Sequence, residues 1–471
     1  MNKNTVNAWP AKQFFVEMLT RDIELKDAIL DLLDNCLDGA MRLEENKGIN
    51  TNSENIYKNY HANITLNENE FIIEDNCGGI SKELAMNYAF RLGRPNDRKT
   101  ENMPTIGIYG IGMKRAMFKL GYSSEVFTKT EDEEFVVRIT PEWLGDDKNW
   151  DLTLEDEHSN LDTPGTKIIV RSLRDNVSRL LGDTVLFQSD LRKSISHHYS
   201  IIIEKGFKVS INNIPVKPAI TSLLFDEGSL HKADGIFPYV YENNVDGVDI
   251  QMVLGFYRPL SSESEDTDNI HGRNTTEQAG WTIICNDRVV LYADKTRTTG
   301  WGEASVPSYH TQFISIAGIV RFTSSDANKL PITTTKRGVD GNSEIYLSAK
   351  DFMREALKIF TSFTNKWKEN SENKIAIQES SKQALNATSR DFITMIPENK
   401  WTKVTRSFGG KVFKPNLPKP KETDPTRQVK FNKKLAEIKL VSEYIFDNDS
   451  VPPGDVGKKC FELILEKAIN E

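Results

Sequence analysis

At 471 residues, with 38% hydrophobic and 27% charged residues, the chain has the makeup of a globular protein long enough for two or three domains. No apolar run is long enough to span a bilayer, and the opening MNKNTVNAWPAKQFF lacks the apolar centre of a secretory signal, so a cytoplasmic protein with no membrane partner is expected. Four cysteines without CxxC spacing and seven histidines without ligand spacing argue against a zinc site or a disulfide framework.

Residues 11–42 read as helical, because Leu25, Ala28, Ile29, Leu32 and Cys36 recur at three- and four-residue steps. The polar segment 46–58 reads as a loop. HANITLNE and EFIIED read as two strands turned around Asn67 to Asn69. SKELAMNYAFRLG opens on a serine cap and reads as a helix, and residues 93–105, GRPNDRKTENMPT, read as a mobile loop. A helix from about Met113 to Leu120 precedes the strands SSEVFTK, EFVVRIT and TKIIVRSL. This alternation predicts an α+β sandwich over residues 1–180.

Residues 181–342 read as a second α/β unit. It has a helix in LRKSISHHYSIIIEKG, a hairpin in KVSINNIPV and strands in QMVLGFY, GWTIICN, RVVLYA and IAGIVRFT, with a polar loop at SSESEDTDNIHGRNTTEQ. Residues 343–400 form a helical segment dominated by one long helix to 369. A basic, proline-containing linker at 401–432 and two helices within 433–471 complete the chain. The net charge of −8 conceals an asymmetry: residues 401–434 carry ten Lys/Arg against two acidic residues. With too few apolar residues for a core, this stretch reads either as a solvated linker or as an electrostatic arm for nucleic acid or another polyanion.

Four short segments carry chemistry. In DAILDLLDNCLDGA, residues Asp31, Asp34, Asn35 and Asp38 fall on one side of a helix, opposite the leucines. Asp and Asn are poor helix formers, so their concentration there suggests a metal and a water rather than a plain solvated face. FIIEDNCGGIS runs from a strand into Asp75, Gly78 and Gly79. It is either a turn or an aspartate placed to accept from an amino group such as that of adenine, with glycines that admit a flat base. IGIYGIGMKRAMFKLG combines Gly107, Gly110 and Gly112 with Lys114 at a helix start, where backbone N–H groups favour phosphate and a lysine adds a point charge. In PGTKIIV, Thr166 opens a strand, and its hydroxyl can meet a base directly or through water.

In this order the four segments resemble the GHKL ATPase superfamily, which includes the ninety-kilodalton heat-shock chaperone, the gyrase ATPase subunit, MutL and the MORC proteins. The resemblance covers roughly residues 10–175, and no GxxxxGK[ST] P-loop is present. It implies a Bergerat-type α/β sandwich that binds ATP with Mg²⁺. Asp31 matches the general base, Asn35 the magnesium-coordinating residue and Asp75 the adenine-binding aspartate. Asp38, Gly79, Ile80, Gly107, Gly110, Ile111, Gly112, Met113, Lys114 and Thr166 complete the implied nucleotide contacts. Two positions depart from the family pattern. The base is Asp31 where the family usually has glutamate, and the usual DxGxG is Asp75-Asn76-Cys77-Gly78-Gly79 here.

The second unit resembles a MORC-type transducer at GWTIICNDRVVLY and KLPITTTKRGVD, which implies that Lys336 reaches the terminal phosphate, with Lys329 as the rival lysine. The resemblance extends to bacterial stand-alone members. It implies slow, Mg-dependent ATP hydrolysis that closes a homodimer, as a DNA-associated clamp or remodelling ATPase compatible with a role in antiviral defence and with a partner effector protein. The alternatives are a non-catalytic ATP sensor and a chaperone-like switch.

Overall fold

The computed structural model describes residues 11–46, 55–91, 111–226, 228, 230, 235–259, 278–333, 336–368, 385–406, 408–418 and 429–470. They fall into two units that divide after Pro420.

The larger unit begins with α1 (Lys12–Arg21) and α2 (Leu25–Asn46). These are two helices where one was expected, because Asp22 leaves helical geometry at φ −98°, ψ 8° and Ile23 buries itself at the break. In α2, Ala28, Ile29, Leu30, Leu32, Leu33, Leu37 and Ala40 are all at most 1% exposed. Each such leucine or isoleucine contributes about 1.5–3 kcal/mol of burial, so α2 is an interior strut of the core.

That core lies against an eight-stranded sheet. Its strands are β1 (His61–Leu66), β2 (Phe71–Asp75), β3 (Gly121–Lys129), β4 (Glu134–Ile139), β5 (Leu154–Glu155), β6 (Gly165–Leu173), β7 (Lys208–Ile211) and β8 (Ile214–Pro215), in the order β5-β4-β3-β6-β2-β1-β7-β8. Along β1, Ala62, Ile64 and Leu66 point inward and Asn63 and Thr65 outward, the alternation of a sheet with one wet face. The β1–β2 turn is closed by the Asn67 side chain, which accepts from the N–H groups of Asn69 and Glu70 at 2.8 and 3.1 Å. Ser81 caps a short helix, as its sequence suggests, but the helix runs on as a π-helical turn over Ala85–Ala89.

KVSINNIPV is the expected hairpin, yet it belongs to this first sheet and not to the second. β7 runs parallel to β1, with Ala62 opposite Val209 and Ile64 opposite Ile211. Val209 and Ile211 are buried there, which covers an edge that β1 would otherwise present to water. The sheet therefore extends to Pro215, beyond the expected end at 180.

The second sheet has seven strands, in the order Arg288–Asp294, Gly280–Cys285, Ile316–Thr323, Val248–Phe256, Tyr239–Val245, Lys411–Phe413 and Thr402–Lys403. Gly280–Cys285 runs parallel to Ile316–Thr323 and the other neighbours are antiparallel. The long helix Glu344–Lys368 lies across it, with Tyr241 stacked on Phe352 at 3.9 Å and Phe256 edge-on to Phe360 at 5.0 Å.

Part of the expected basic linker is thus a pair of sheet strands. Val412 and Leu417 enter the core. Three of its cations are spent on acids of the same unit: Arg406 and Lys414 on Glu355, and Lys411 on Glu242 at 3.1 Å. Residues 419–428 lie outside the described residues.

The second unit contains the helices Leu435–Phe446 and Pro453–Asn470, both expected from the sequence. Among the described residues no helix is long and apolar enough to cross a membrane. The architecture is α+β with a helical C-terminal segment.

Candidate functional site

Helix α2 carries the first group of candidate residues. Between Asp31 and Ala40 only Asn35 is exposed. Asp31 and Asp38 are each 5% exposed and Asp34 is fully buried. Of the polar side read from the helical spacing, the three aspartates are therefore covered and Asn35 alone is open to solvent.

Asp31 Oδ2 accepts from Arg115 at 2.6 Å. A Cβ added to Gly112 would stand 3.6 Å from Asp31, so the start of the nine-residue helix Gly112–Leu120 abuts this carboxylate. Ile111, Gly112 and Met113 are all partly exposed at that helix start. Gly107 and Gly110 lie outside the described residues, as does the loop expected at 93–105.

Asp75 ends β2 and is 7% exposed. Burial raises its carboxyl above the ordinary range, against the hydrogen bond it accepts from the Cys77 N–H at 2.8 Å and the neighbouring Cys36 and Thr166. Cys36, one residue beyond Asn35, donates its thiol to the Leu32 carbonyl at 3.4 Å within α2 and is packed beside Asp75. Burial, and then the Asp75 charge, push both thiols well above their usual value, so Cys36 and Cys77 are packed and unreactive.

Thr166 stands directly opposite Asp75 on β6. Ile80 donates its N–H to Thr128 Oγ1 at 2.6 Å, a contact that no motif flagged. Gly79 has φ +71°, and a Cβ there would lie 2.1 Å from the Lys129 carbonyl. A Cβ on Gly165 would lie 2.0 Å from the Asp75 carbonyl. Gly79→Ala is expected to destabilise the protein by about 2–5 kcal/mol, from left-handed strain plus overpacking, as read from its urea midpoint. A midpoint equal to that of the parent contradicts this.

Lys114 does not extend toward the helix start as its sequence position suggested. It is 2% exposed, and its Nζ donates to the Ala89 and Arg91 carbonyls at 2.8 and 2.5 Å. Burial alone lowers it to about 8. The chain turns inward there because two carbonyls at the end of the π-helical turn need a donor. Lys114 lines a cavity of 630 Å³ together with Met86, Phe118, Trp143 and Trp150, and that cavity includes none of Asp31, Asn35, Asp75 or Thr166.

From the second sheet's side, Lys336 sits at φ +56° and reaches α2, with Nζ 3.2 Å from Asp34 Oδ2. Lys329 instead donates to the Asp246 carbonyl at 2.9 Å. Asp34 also meets Arg288 at 3.3 Å and the Tyr199 hydroxyl at 2.6 Å, while Arg337 pairs with Asp27 at 2.8 Å. Burial alone would raise the Asp34 carboxyl; the charges of Arg288, Lys336 and Arg337 and the Tyr199 hydrogen bond outweigh it and hold the group at about 2. The stabilisation of these contacts is therefore complete above the unfolded aspartate value near 4 and is lost as pH falls toward 2.

Asp34 had a place on the polar face but no role. Arg115, Arg288 and Tyr199 carried no local signal, because their partners lie 84 to 254 positions away.

Among the described residues no cluster of three or more Asp, Glu, His or Cys side chains forms a metal cage. The donor set fits magnesium in another way. One exposed amide oxygen, Asn35, suits an ion that keeps its waters and takes most of its ligands from phosphate.

The described part of the site thus joins α2, the end of β2, the start of β6 and the Gly112 helix. Residues 23–163 match the family model described as histidine kinase-, DNA gyrase B-, and HSP90-like ATPase. The chain carries a GHKL-type ATPase domain over this region, and ATP is the ligand such a domain binds. A comparison with curated proteins finds no significant match.

Proposed function

We propose that the protein binds ATP with Mg²⁺ and hydrolyses it slowly. One observation carries this reading: Asp31 and Asn35 share α2, Cys36 of the same helix is packed beside Asp75 at the end of β2, and Gly112 lies against Asp31, inside the region that matches the ATPase family. Asp75 accepts from the adenine amino group and Thr166 supports the base. Asn35 holds the magnesium, which when bound neutralises phosphate charge. Asp31 orients and deprotonates the attacking water, and Lys336 stabilises charge developing on the transferred phosphoryl group. Lys114 is left out of this account, since its ammonium is committed to two carbonyls.

The test is phosphate release at saturating Mg-ATP beside calorimetric binding. Binding with turnover supports the proposal, and absence of binding heat rejects it. A non-catalytic sensor is favoured by one observation, the Arg115 contact that occupies Asp31 Oδ2. That reading predicts binding heat with no phosphate released.

Residues 181–342 fit a transducer role, because Lys336 comes from the loop that follows Ile316–Thr323. By the MORC-like resemblance, ATP closes two copies into a homodimer in the cytoplasm that engages DNA or an effector protein. Salt-sensitive DNA retention lost on deleting residues 419–434 supports the DNA partner. Retention independent of salt speaks against it.

A further inference from the structure

The contacts around Asp34 are out of balance in an informative way. One fully buried carboxylate faces two cations, Arg288 and Lys336. The two differ in freedom. Arg288 is 0% exposed and lies over the Tyr199 ring at 3.9 Å, so it has nowhere to go. Lys336 sits on a loop, its side chain 13% exposed, and only its ammonium touches α2. Asp34 is three residues from Asp31 and adjacent to Asn35, and i,i+3 neighbours on a helix are about 5–6 Å apart. A lysine held on Asp34 is thus one side-chain swing from the place where Asp31 and Asn35 would meet a terminal phosphate.

We infer that Asp34 is a positioning residue for the proposed reaction: it holds the Lys336 ammonium while no triphosphate is present and releases it to the phosphate, with Arg288 remaining behind to neutralise the buried carboxylate. This rests on the ATPase reading above. Arg288 is what makes the release easy. Without it, Lys336 would be the chief partner of a buried charge, and its departure would leave that carboxylate only the Tyr199 hydroxyl and the more distant Arg337 charge. ADP offers no terminal phosphate to receive the lysine, so the device favours ATP over ADP although Asp34 and Arg288 touch neither nucleotide.

The test compares the dissociation constants of a non-hydrolysable Mg-ATP analogue and of Mg-ADP, together with kcat, in the full chain. In Arg288→Met, Lys336 is trapped on Asp34. The analogue should weaken about tenfold, within the usual range of coupling between sites, kcat should fall, and ADP binding should stay within about twofold of the parent. Arg288→Lys restores a cation and should restore analogue binding. The double variant Asp34→Asn/Arg288→Met removes the trap and strands no buried charge, so it should recover the analogue affinity even if Asp34→Asn alone fails to fold. An analogue-to-ADP ratio unchanged in Arg288→Met overturns the inference, as does a double variant no better than Arg288→Met. If instead the parent binds no Mg-ATP, or Lys336→Ala leaves the ratio unaltered, the ATPase reading or the lysine's role in it has failed, and the holding role falls with it.

Discussion

Asp31→Asn is expected to abolish measurable ATP turnover, with a loss of at least about 10²–10³-fold, while the nucleotide still binds. General-base catalysis contributes about 10²–10⁴ in rate, and the amide keeps the shape of the carboxylate while losing its basicity. The structure adds a condition. Arg115 is 2.6 Å from Asp31 Oδ2, so one carboxylate oxygen is committed to the guanidinium and the other is left for water. The side chain is also one methylene shorter than glutamate. The water must therefore come close to the helix, beside the start at Gly112, where even an added Cβ would make only ordinary contact with Asp31 at 3.6 Å. Single-turnover phosphate release with parallel calorimetry reads both effects. A variant that turns over at the parent rate removes Asp31 from the base role; one that no longer binds nucleotide makes it a ligand of the phosphates or their metal instead.

Asp75→Ala is expected to weaken ATP binding about 10–100-fold, because a hydrogen bond to a charged group contributes about 1.5–3 kcal/mol and each 1.4 kcal/mol is tenfold. The same carboxylate predicts base selectivity. Adenine presents an amino donor to it, whereas guanine presents a carbonyl at the equivalent edge, and two acceptors facing each other in a buried site repel. Discrimination by a site built to pair with a donor is large because its own polar group is stranded by the wrong ligand. ATP should outcompete GTP by at least tenfold in the parent and lose most of that advantage in the variant. Equal affinity of the parent for both bases places the base elsewhere.

The local elements of this fold were readable because they depend on short-range periodicity. The apolar steps of α2, the alternation in β1 and the serine cap at Ser81 each declare themselves within a few residues. The position of Asp75 at a strand end was readable for a similar reason, since a strand running into an aspartate and two glycines is a local pattern. What escaped were properties set by distant partners. The direction of Lys114 is decided by the Ala89 and Arg91 carbonyls, and the burial of Asp34 by Arg288, Tyr199 and Lys336. The helical spacing put Asp34 beside Asp31 correctly, but it could not say that a second sheet covers one flank of that face. The stretch from 401 was misjudged because composition averages over it. Lys411–Phe413 needs only three residues to pair with Val240–Glu242, and Glu355 supplies the countercharge for two of its cations.

The parallel pairing of β7 with β1 has a practical bearing on how the nucleotide-binding half can be isolated. A fragment cut near residue 180 would discard Tyr199, whose hydroxyl reaches Leu30 and Asp34, and would bare the outer edge of β1 over His61–Ile64. Such a truncation is set to self-associate edge to edge, whereas one carried to about residue 220 keeps its border strand and the anchor beneath α2.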